Sequence, residues 1–167
     1  MREALGLLDS LLPRPVTFIL GGGGALALAH HFPLSTHDLD AIPKGMSQQE
    51  LQPYVLQVAQ TLKLSNDWIN PYFSSFTHTL PPDFATRLIR TFSGKQLSVD
   101  ALGKNDLLIM KCFAHRPKDV AHARVLIQQG ADVVFVEDHI DQLIKKRLPG
   151  AKEASEFLAD ILNQSFA

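Results

Sequence analysis

Four consecutive glycines, Gly21 to Gly24, form a segment of the chain that could take part in chemistry. They follow the apolar run Val16–Leu20 and precede residues rich in Ala and Leu, so they connect a predicted strand to a predicted helix. Glycine permits a tight turn and leaves backbone N–H groups accessible at the positive end of a helix, where phosphate binds well. The run lacks the lysine and the hydroxyl residue of a P-loop, and a flexible turn would also explain it. The glycines therefore indicate a phosphate-binding turn or a structural one.

Two aspartates, Asp38 and Asp40, follow the glycines and lie at the start of a short predicted strand that Pro43 ends. Residues separated by one position on a strand project from the same face. Two converging carboxylates repel each other unless a divalent cation lies between them, and oxygen ligands favour Mg²⁺ or Mn²⁺. Such a pair also occurs at solvated strand ends. Its position after the glycine turn is what makes it a candidate metal site.

Together these residues resemble the signature of the nucleotidyltransferase superfamily: a hydrophobic residue, Gly-Gly or Gly-Ser, a spacer, then Asp-hydrophobic-Asp. Here it reads Leu20, Gly21 to Gly24 and then Thr36-His37-Asp38-Leu39-Asp40. More narrowly, the chain resembles small bacterial proteins related to the AbiEii toxin, in which a lysine-bearing helix precedes an Arg-x-Lys-Asp element. Residues 109–119 fit that pattern, and Asp67-Trp68-Ile69-Asn70 is similar to a segment of one subgroup. The resemblance covers about residues 16–127.

The resemblance implies an α/β (α+β) nucleotidyltransferase fold, with helices packed on a small mixed β-sheet and closing C-terminal helices. It also implies transfer of NMP from an NTP to a hydroxyl acceptor, with Mg²⁺ or Mn²⁺ bound by Asp38 and Asp40. The acceptor would be RNA, a protein or a small molecule, and a toxin–antitoxin role would add an antitoxin partner. The implied catalytic residues are Asp38, Asp40, Asp100 and Lys111, and the implied nucleotide-binding residues are Gly22, Gly23, Thr36, Lys111 and Asp119.

A third carboxylate is the main departure from the family pattern. Active members carry it on a neighbouring strand, where it completes the metal site and can deprotonate the attacking hydroxyl. None lies in the predicted strand over 87–92, so Asp100 on the next strand is the best substitute, followed by Asp83. The alternative is a degenerate, non-catalytic member that binds nucleotide or only a partner protein.

Lys111 lies among apolar residues in a predicted helix, and an ammonium in such surroundings requires a partner. Asp119, beyond the break at Pro117, is the obvious one. The pair is either a structural ion pair, or an arrangement in which Asp119 orients the lysine toward a nucleotide phosphate.

Histidines and aromatic residues offer further alternatives. His30, His31 and His37 are close in sequence to the aspartates and could form a zinc or iron site, although adjacent histidines on a helix point in different directions. Four aromatic residues in the following loop could stack on a base or anchor the loop in the core. These residues are Trp68, Tyr72, Phe73 and Phe76.

The elements that position these residues follow from periodicity, caps and breakers. Ser47 and Glu50 form a capping box, Asn105 can cap a later helix, and Gly130 ends the next one. We predict helices over 4–12, 25–31, 47–62, 105–115, 118–129, 133–147 and 151–163, strands over 16–20, 39–42, 87–92 and 96–102, and a loop over 66–82.

The 167 residues suit one domain over 1–167, with a core over about 16–127 and a helical extension over about 131–167. The net charge of −1 gives little attraction for nucleic acid, which disfavours a plain nucleic-acid-binding module. Cys112, the single cysteine, predicts a buried thiol in a reducing compartment. No apolar run approaches the roughly 20 residues that span a bilayer. The first residues also do not resemble a signal peptide, so we expect a cytoplasmic protein without a membrane partner.

Overall fold

The computed structural model of the chain describes residues 1–32 and 38–165, with side chains as far as residue 163. The candidate nucleotide-binding residue Thr36 therefore lies outside the described residues. The chain divides into two compact units. Within the described ranges, no helix combines the length and apolar character needed to cross a membrane. The organisation as a single domain over 1–167 stays a prediction.

The first unit comprises Met1–Ser75 and Leu88–Leu102 and is built on a five-stranded sheet. Its elements are α1 (Arg2–Leu11), β1 (Val16–Leu20), α2 (Gly22–Ala29), β2 (Leu39–Lys44), α3 (Gln48–Leu62), β3 (Ile69–Asn70), β4 (Ile89–Ser93) and β5 (Leu97–Ala101). The strand order is β3-β2-β1-β5-β4. Strand β1 is antiparallel to β2 and parallel to β5, so the sheet is mixed. The predicted fold class, helices with a small mixed sheet, is confirmed.

Strand register determines which face of this sheet carries the carboxylates. Leu20 lies opposite both Ala41 and Ala101, and all three side chains are buried. Successive residues of a strand point to opposite faces. Asp40 and Asp100, each one residue earlier than its buried alanine, therefore share the other face of the sheet. Both are only partly buried.

Local signals in the sequence account for the helices around the sheet. The Ser47 hydroxyl accepts the Glu50 N–H at 3.2 Å, while Glu50 accepts the Ser47 N–H at 2.9 Å. This reciprocal cap confirms the predicted capping box at the start of α3. Helix α1 packs against α3, and its Asp9 carboxylate accepts the backbone N–H groups of the β4–β5 turn at 2.6–2.9 Å. That carboxylate therefore ties the first helix to the hairpin.

The second unit, Phe76–Arg87 together with the chain from Gly103, is helical. Its α-helices are α4 (Lys104–Ala114), α5 (Pro117–Gln128), α6 (Val133–Lys145) and α7 (Ala151–Ser165). Helix α4 contacts the other three and is buried continuously from Asp106 to Phe113. The predicted closing helices α6 and α7 are present, and Gly130 has the positive φ of +85° predicted for a helix stop.

Several details of the predicted elements were wrong. Strand β2 continues through Pro43 to Lys44 instead of ending before the proline. Asn105 does not cap α4, because the N-cap is Gly103 and the Asn105 side chain instead accepts the Asp132 N–H at 2.8 Å. Helix α2 begins at Gly22 instead of Ala25, so the glycines form its first turn. The predicted loop contains strand β3 and a 3₁₀ helix, Tyr72–Thr79, and a second 3₁₀ helix, Phe84–Arg87, delays the start of β4.

Candidate functional site

The glycine turn joins the end of β1 to the start of α2. Gly21 is the N-cap residue of α2, and its N–H donates to the Asp40 carbonyl at 2.9 Å. The first intrahelical bond runs from Ala25 to Gly21, at 3.1 Å. The opening N–H groups of a helix have no partner within it, and they carry its positive dipole end. The amides of Gly22 and Gly23 therefore belong to the part of α2 that is suited to an anion.

Gly22 lies directly against the Asp40 side chain. It adopts a φ of +56°, and a Cβ at this position would be 2.8 Å from Asp40 Cγ and would overlap its Oδ2. Glycine adopts this conformation without strain and leaves room for the carboxylate. The structure therefore brings together the glycine turn and one of the two predicted metal ligands.

Asp38 is held from the neighbouring strand by Asn70. The Asn70 Nδ2 donates to Asp38 Oδ2 at 3.0 Å, while its Oδ1 accepts the Tyr72 N–H at 3.0 Å. The second bond fixes the orientation of the carboxamide, so that its NH₂ group faces Asp38. Asn70 lies on strand β3, which pairs with β2 in parallel, and this pairing puts Asn70 opposite Asp40. Asn70 therefore positions one carboxylate of the pair.

Asn70 belongs to the segment over 67–70 that is similar to a family subgroup, but the sequence pattern predicts no role for it. A strand of two residues has no periodicity that would reveal it. The sequence feature that could have revealed this strand is Trp68, which directly precedes it. Trp68 is buried, and its indole N–H donates to the Val55 carbonyl at 3.0 Å, which anchors β3.

Asp38 and Asp40 fit a Mg²⁺ or Mn²⁺ ion by the chemistry of their donor atoms. Asp38 is exposed and Asp40 is half-buried, so their carboxylates are accessible. Mg²⁺ is commonly held by one or two carboxylates together with substrate phosphates and water. Within 1–32 and 38–165, no group of three or more His, Cys, Asp and Glu residues is arranged to hold a metal. Binding of a metal ion by Asp38 and Asp40 stays a prediction.

Asp100 shares the sheet face of Asp40 but is engaged by a cation. Arg90 on β4 binds it through two guanidinium nitrogens, with Nη2 at 3.2 Å, and also donates to Ser98 at 3.2 Å. Hydrogen bonding to Asp100 raises the pKa of Arg90 above its usual range. Strand β1 separates Asp100 from Asp40 in the sheet. The other candidate for a third carboxylate, Asp83, forms an ion pair with Arg87 at 2.8 Å in the second unit.

Lys111 and Asp119 form the predicted ion pair in the second unit. The Lys111 ammonium lies 2.8 Å from Asp119 Oδ1, and both side chains are almost completely buried. Arg116 also binds this carboxylate at 2.7 Å, and His122 lies 3.5 Å away. Burial alone would raise the pKa of Asp119, but hydrogen bonds from His122, Arg116 and Lys111 hold it well below its usual range. The pair joins α4 to α5, and a phosphate-binding role for Lys111 and Asp119 stays a prediction.

The aromatic residues of the 66–82 segment separate into two groups. Trp68 and Phe73 are buried, and Phe73 lies against Gly21, where a Cβ would be 2.6 Å from its ring. Phe76 is half-buried, whereas the Tyr72 side chain is 72% exposed. Trp68 and Phe73 therefore anchor this segment in the core, and Tyr72 does not.

The histidines take different positions. His30 is buried, with Nε2 3.0 Å from the Leu102 carbonyl oxygen, and His37 lies outside the described residues. His31 has a φ of +52° just after α2 ends. The part of the chain that the structure describes contains no histidine cluster arranged for a metal.

The comparisons with known proteins give one match. No curated protein and no solved structure matches the chain. A family model described as "Nucleotidyltransferase of unknown function (DUF6036)" matches residues 2–146. This range includes the glycine turn, both aspartates of the pair and the Lys111–Asp119 ion pair. The chain therefore belongs to this nucleotidyltransferase family.

Proposed function

We propose that the chain transfers NMP from an NTP to a hydroxyl group of an acceptor, with Mg²⁺ or Mn²⁺ held by Asp38 and Asp40. The acceptor class is RNA, a protein or a small molecule. The packing of Gly22 against Asp40 supports this most strongly, because the amides proposed to bind phosphate then lie beside a carboxylate proposed to bind the metal.

Different groups of the chain would bind the phosphates and the metal ion. The amides of Gly22 and Gly23 would bind phosphate oxygens at the positive end of α2. The contact of Asp40 with the glycine turn and the hydrogen bond from Asn70 to Asp38 support a site whose carboxylates are oriented before substrate arrives. Polar groups that are fixed in advance stabilise developing charge without reorganisation.

The transfer itself would be an in-line displacement. The acceptor oxygen bonds to the α-phosphorus while the bond from that phosphorus to the bridging oxygen breaks, and pyrophosphate leaves with the electron pair. The hydroxyl proton passes to a carboxylate, which we assign to Asp100 after it exchanges Arg90 for the acceptor. When bound, the divalent ion would neutralise negative charge on the phosphates and on the leaving pyrophosphate. Positioning of the two reactants supplies much of the acceleration.

A second candidate function is nucleotide or partner binding without turnover. The pairing of Asp100 with Arg90 favours this candidate, because the guanidinium cation neutralises the carboxylate that would have to accept the proton. If this pair does not open, the chain would retain the proposed phosphate and metal ligands, but Asp100 could not accept the proton.

Isotope-labelled NTPs distinguish these candidates. With a heat-inactivated extract supplying acceptors and with Mg²⁺, we expect label from [α-³²P]NTP, but not from [γ-³²P]NTP, to enter an acceptor. Asp38→Asn should abolish labelling, whereas Asp160→Asn, the same change at an exposed position in α7, should not. Label from the γ-phosphate would indicate a kinase and contradict the proposal. Binding of NTP without transfer would support the second candidate.

We further propose that the chain is related to the AbiEii toxin and acts in the cytoplasm as the toxin of a toxin–antitoxin pair. The segments over 67–70 and 109–119 support this relationship, and cytoplasmic NTP would be its substrate. Induced expression in a bacterial host should arrest growth, and Asp38→Asn should relieve the arrest. Equal arrest by both forms would contradict a toxin role based on nucleotidyl transfer.

A further inference from the structure

We propose that the side chain of Tyr72 is the platform on which the base of the nucleoside triphosphate stacks, an inference that rests on the proposed function. Tyr72 has the largest exposed fraction among the large apolar side chains of the described residues, at 72%. Its neighbour Phe73 is buried against Gly21. The segment is therefore anchored while the tyrosine ring stays accessible.

The backbone of Tyr72 is linked to the candidate metal site through one carboxamide group. Its N–H donates to Asn70 Oδ1 at 3.0 Å, and Asn70 Nδ2 donates to Asp38 Oδ2 at 3.0 Å. Phe73, the next residue, contacts the N-cap of the glycine turn. Tyr72 is thus fixed relative to both parts of the site, the carboxylates and the phosphate-binding turn.

An exposed aromatic residue whose backbone is tied to the candidate metal site suits the base of a nucleotide whose phosphates lie at that site. Every base has a π face, and stacking on an aromatic side chain contributes binding with little base selectivity. The ring therefore predicts similar binding of the four NTPs, whose shared phosphates occupy the glycine turn. Tyrosine suits this role because its ring is rigid and its hydroxyl tolerates water.

Tripolyphosphate provides the test, because it has the phosphates of an NTP without the base. In calorimetric titrations with Mg²⁺, wild type should bind ATP more tightly than tripolyphosphate. Tyr72→Ala should weaken ATP binding by about 5- to 100-fold and leave tripolyphosphate binding unchanged. Tyr72→Phe, which keeps the ring, should bind both ligands like wild type. The alanine variant retains the backbone N–H bond to Asn70, and the ring is exposed, so its unfolding midpoint without ligand should match that of wild type.

The outcomes separate this inference from the proposed function. Equal affinity of wild type for ATP and tripolyphosphate, or an equal loss of both in Tyr72→Ala, would overturn the stacking role and leave the nucleotide site intact. Binding of neither ligand by wild type would overturn the proposed function, and the inference with it.

Discussion

The two compact units each hold a candidate aspartate, and they stabilise its charge in different ways. Asp38 in the first unit is exposed and accepts a hydrogen bond from the neutral carboxamide of Asn70. Asp119 in the second unit is buried and bound by the cations Lys111 and Arg116. Asp38 is accessible to an ion from solvent, whereas Asp119 is enclosed and its charge is matched by cations. We therefore expect the first arrangement to suit a metal ion and the second to hold helices together.

The largest expected effect is the loss of the buried pair. Asp119→Asn removes the carboxylate that the Lys111 ammonium contacts, and breaking a buried ion pair costs about 3–5 kcal/mol. Urea unfolding should report a loss of this size in the free energy of unfolding. The double variant Lys111→Met/Asp119→Leu should lose less stability, because it removes both members of the pair and leaves neither of them as an unpaired buried charge.

The single variant Lys111→Met tests the phosphate-binding role of the pair. If it is structural, the folded fraction of Lys111→Met should bind Mg²⁺ and NTP with wild-type affinity. A selective loss of NTP affinity in that variant, with little change in stability, would contradict the structural role of the pair in the second unit.

The next largest effect is expected at the neutral donor. Asn70→Ala removes the carboxamide, so Asp38 loses the hydrogen bond from Nδ2 at 3.0 Å and the site gains no new charge. Changes to groups that orient metal ligands typically reduce metal affinity by 10- to 100-fold. Titration with Mn²⁺ in the presence of NTP should show a loss of about that size. Asn66→Ala, the same change at an exposed position four residues earlier, should have no effect.

Two glycine substitutions give a smaller effect with opposite signs. Gly22→Ala introduces a methyl group against Asp40 at a φ of +56°, and strain of this kind costs of order 1–3 kcal/mol. We expect reduced stability and loss of NTP binding as Asp40 is displaced. Gly6→Ala in α1 meets no atom within 4 Å. It should stabilise the chain by about 0.5–1 kcal/mol. Retained NTP affinity in Gly22→Ala would show that the contact with Asp40 is not needed.

The smallest effect concerns acid stability and Asp9, a carboxylate held by neutral backbone donors. Burial raises its pKa, but N–H groups of Lys95, Leu97 and Gln96 lower it below the usual value. A depressed folded pKa stabilises the protein above the unfolded pKa of about 3.9. This contribution is lost as pH falls through the folded pKa. Asp9→Asn should therefore reduce stability at pH 7 and flatten its decline in acid, measured by urea unfolding at several pH values. If the stability of Asp9→Asn declined in acid as that of wild type does, groups other than Asp9 would account for the acid sensitivity.

Local patterns in the sequence predicted much of the fold. The Ser47–Glu50 cap, the helix breaks at Pro13 and Pro117 and the Gly130 stop act within a few residues, and the structure confirms them. Pro43 does not end its strand, because β2 continues through it to Lys44. Asn105 was misassigned because its side chain bonds to Asp132, far along the chain. Caps are predictable when the partner is local and fail when a tertiary bond competes.

The candidate site shows the same division between local and long-range information. The glycine turn and the Asp38–Asp40 spacing are visible in the sequence. The Asn70 contact with Asp38 depends on the pairing of β3 with β2, which no local pattern encodes. The cation opposite Asp100 likewise depends on the β4–β5 register, which puts Arg90 opposite it.

The most direct test of the account is thermal unfolding with each NTP, in the presence and absence of Mg²⁺ or Mn²⁺, for wild type, Asp38→Asn and Asp160→Asn. A ligand at 100 times its Kd stabilises the native state by about 2.7 kcal/mol. The account predicts a rise of several degrees in the unfolding midpoint that requires metal, is lost in Asp38→Asn and persists in Asp160→Asn. A rise that is equal in all three proteins, or no rise with any nucleotide, would contradict a metal–nucleotide site at Asp38 and Asp40.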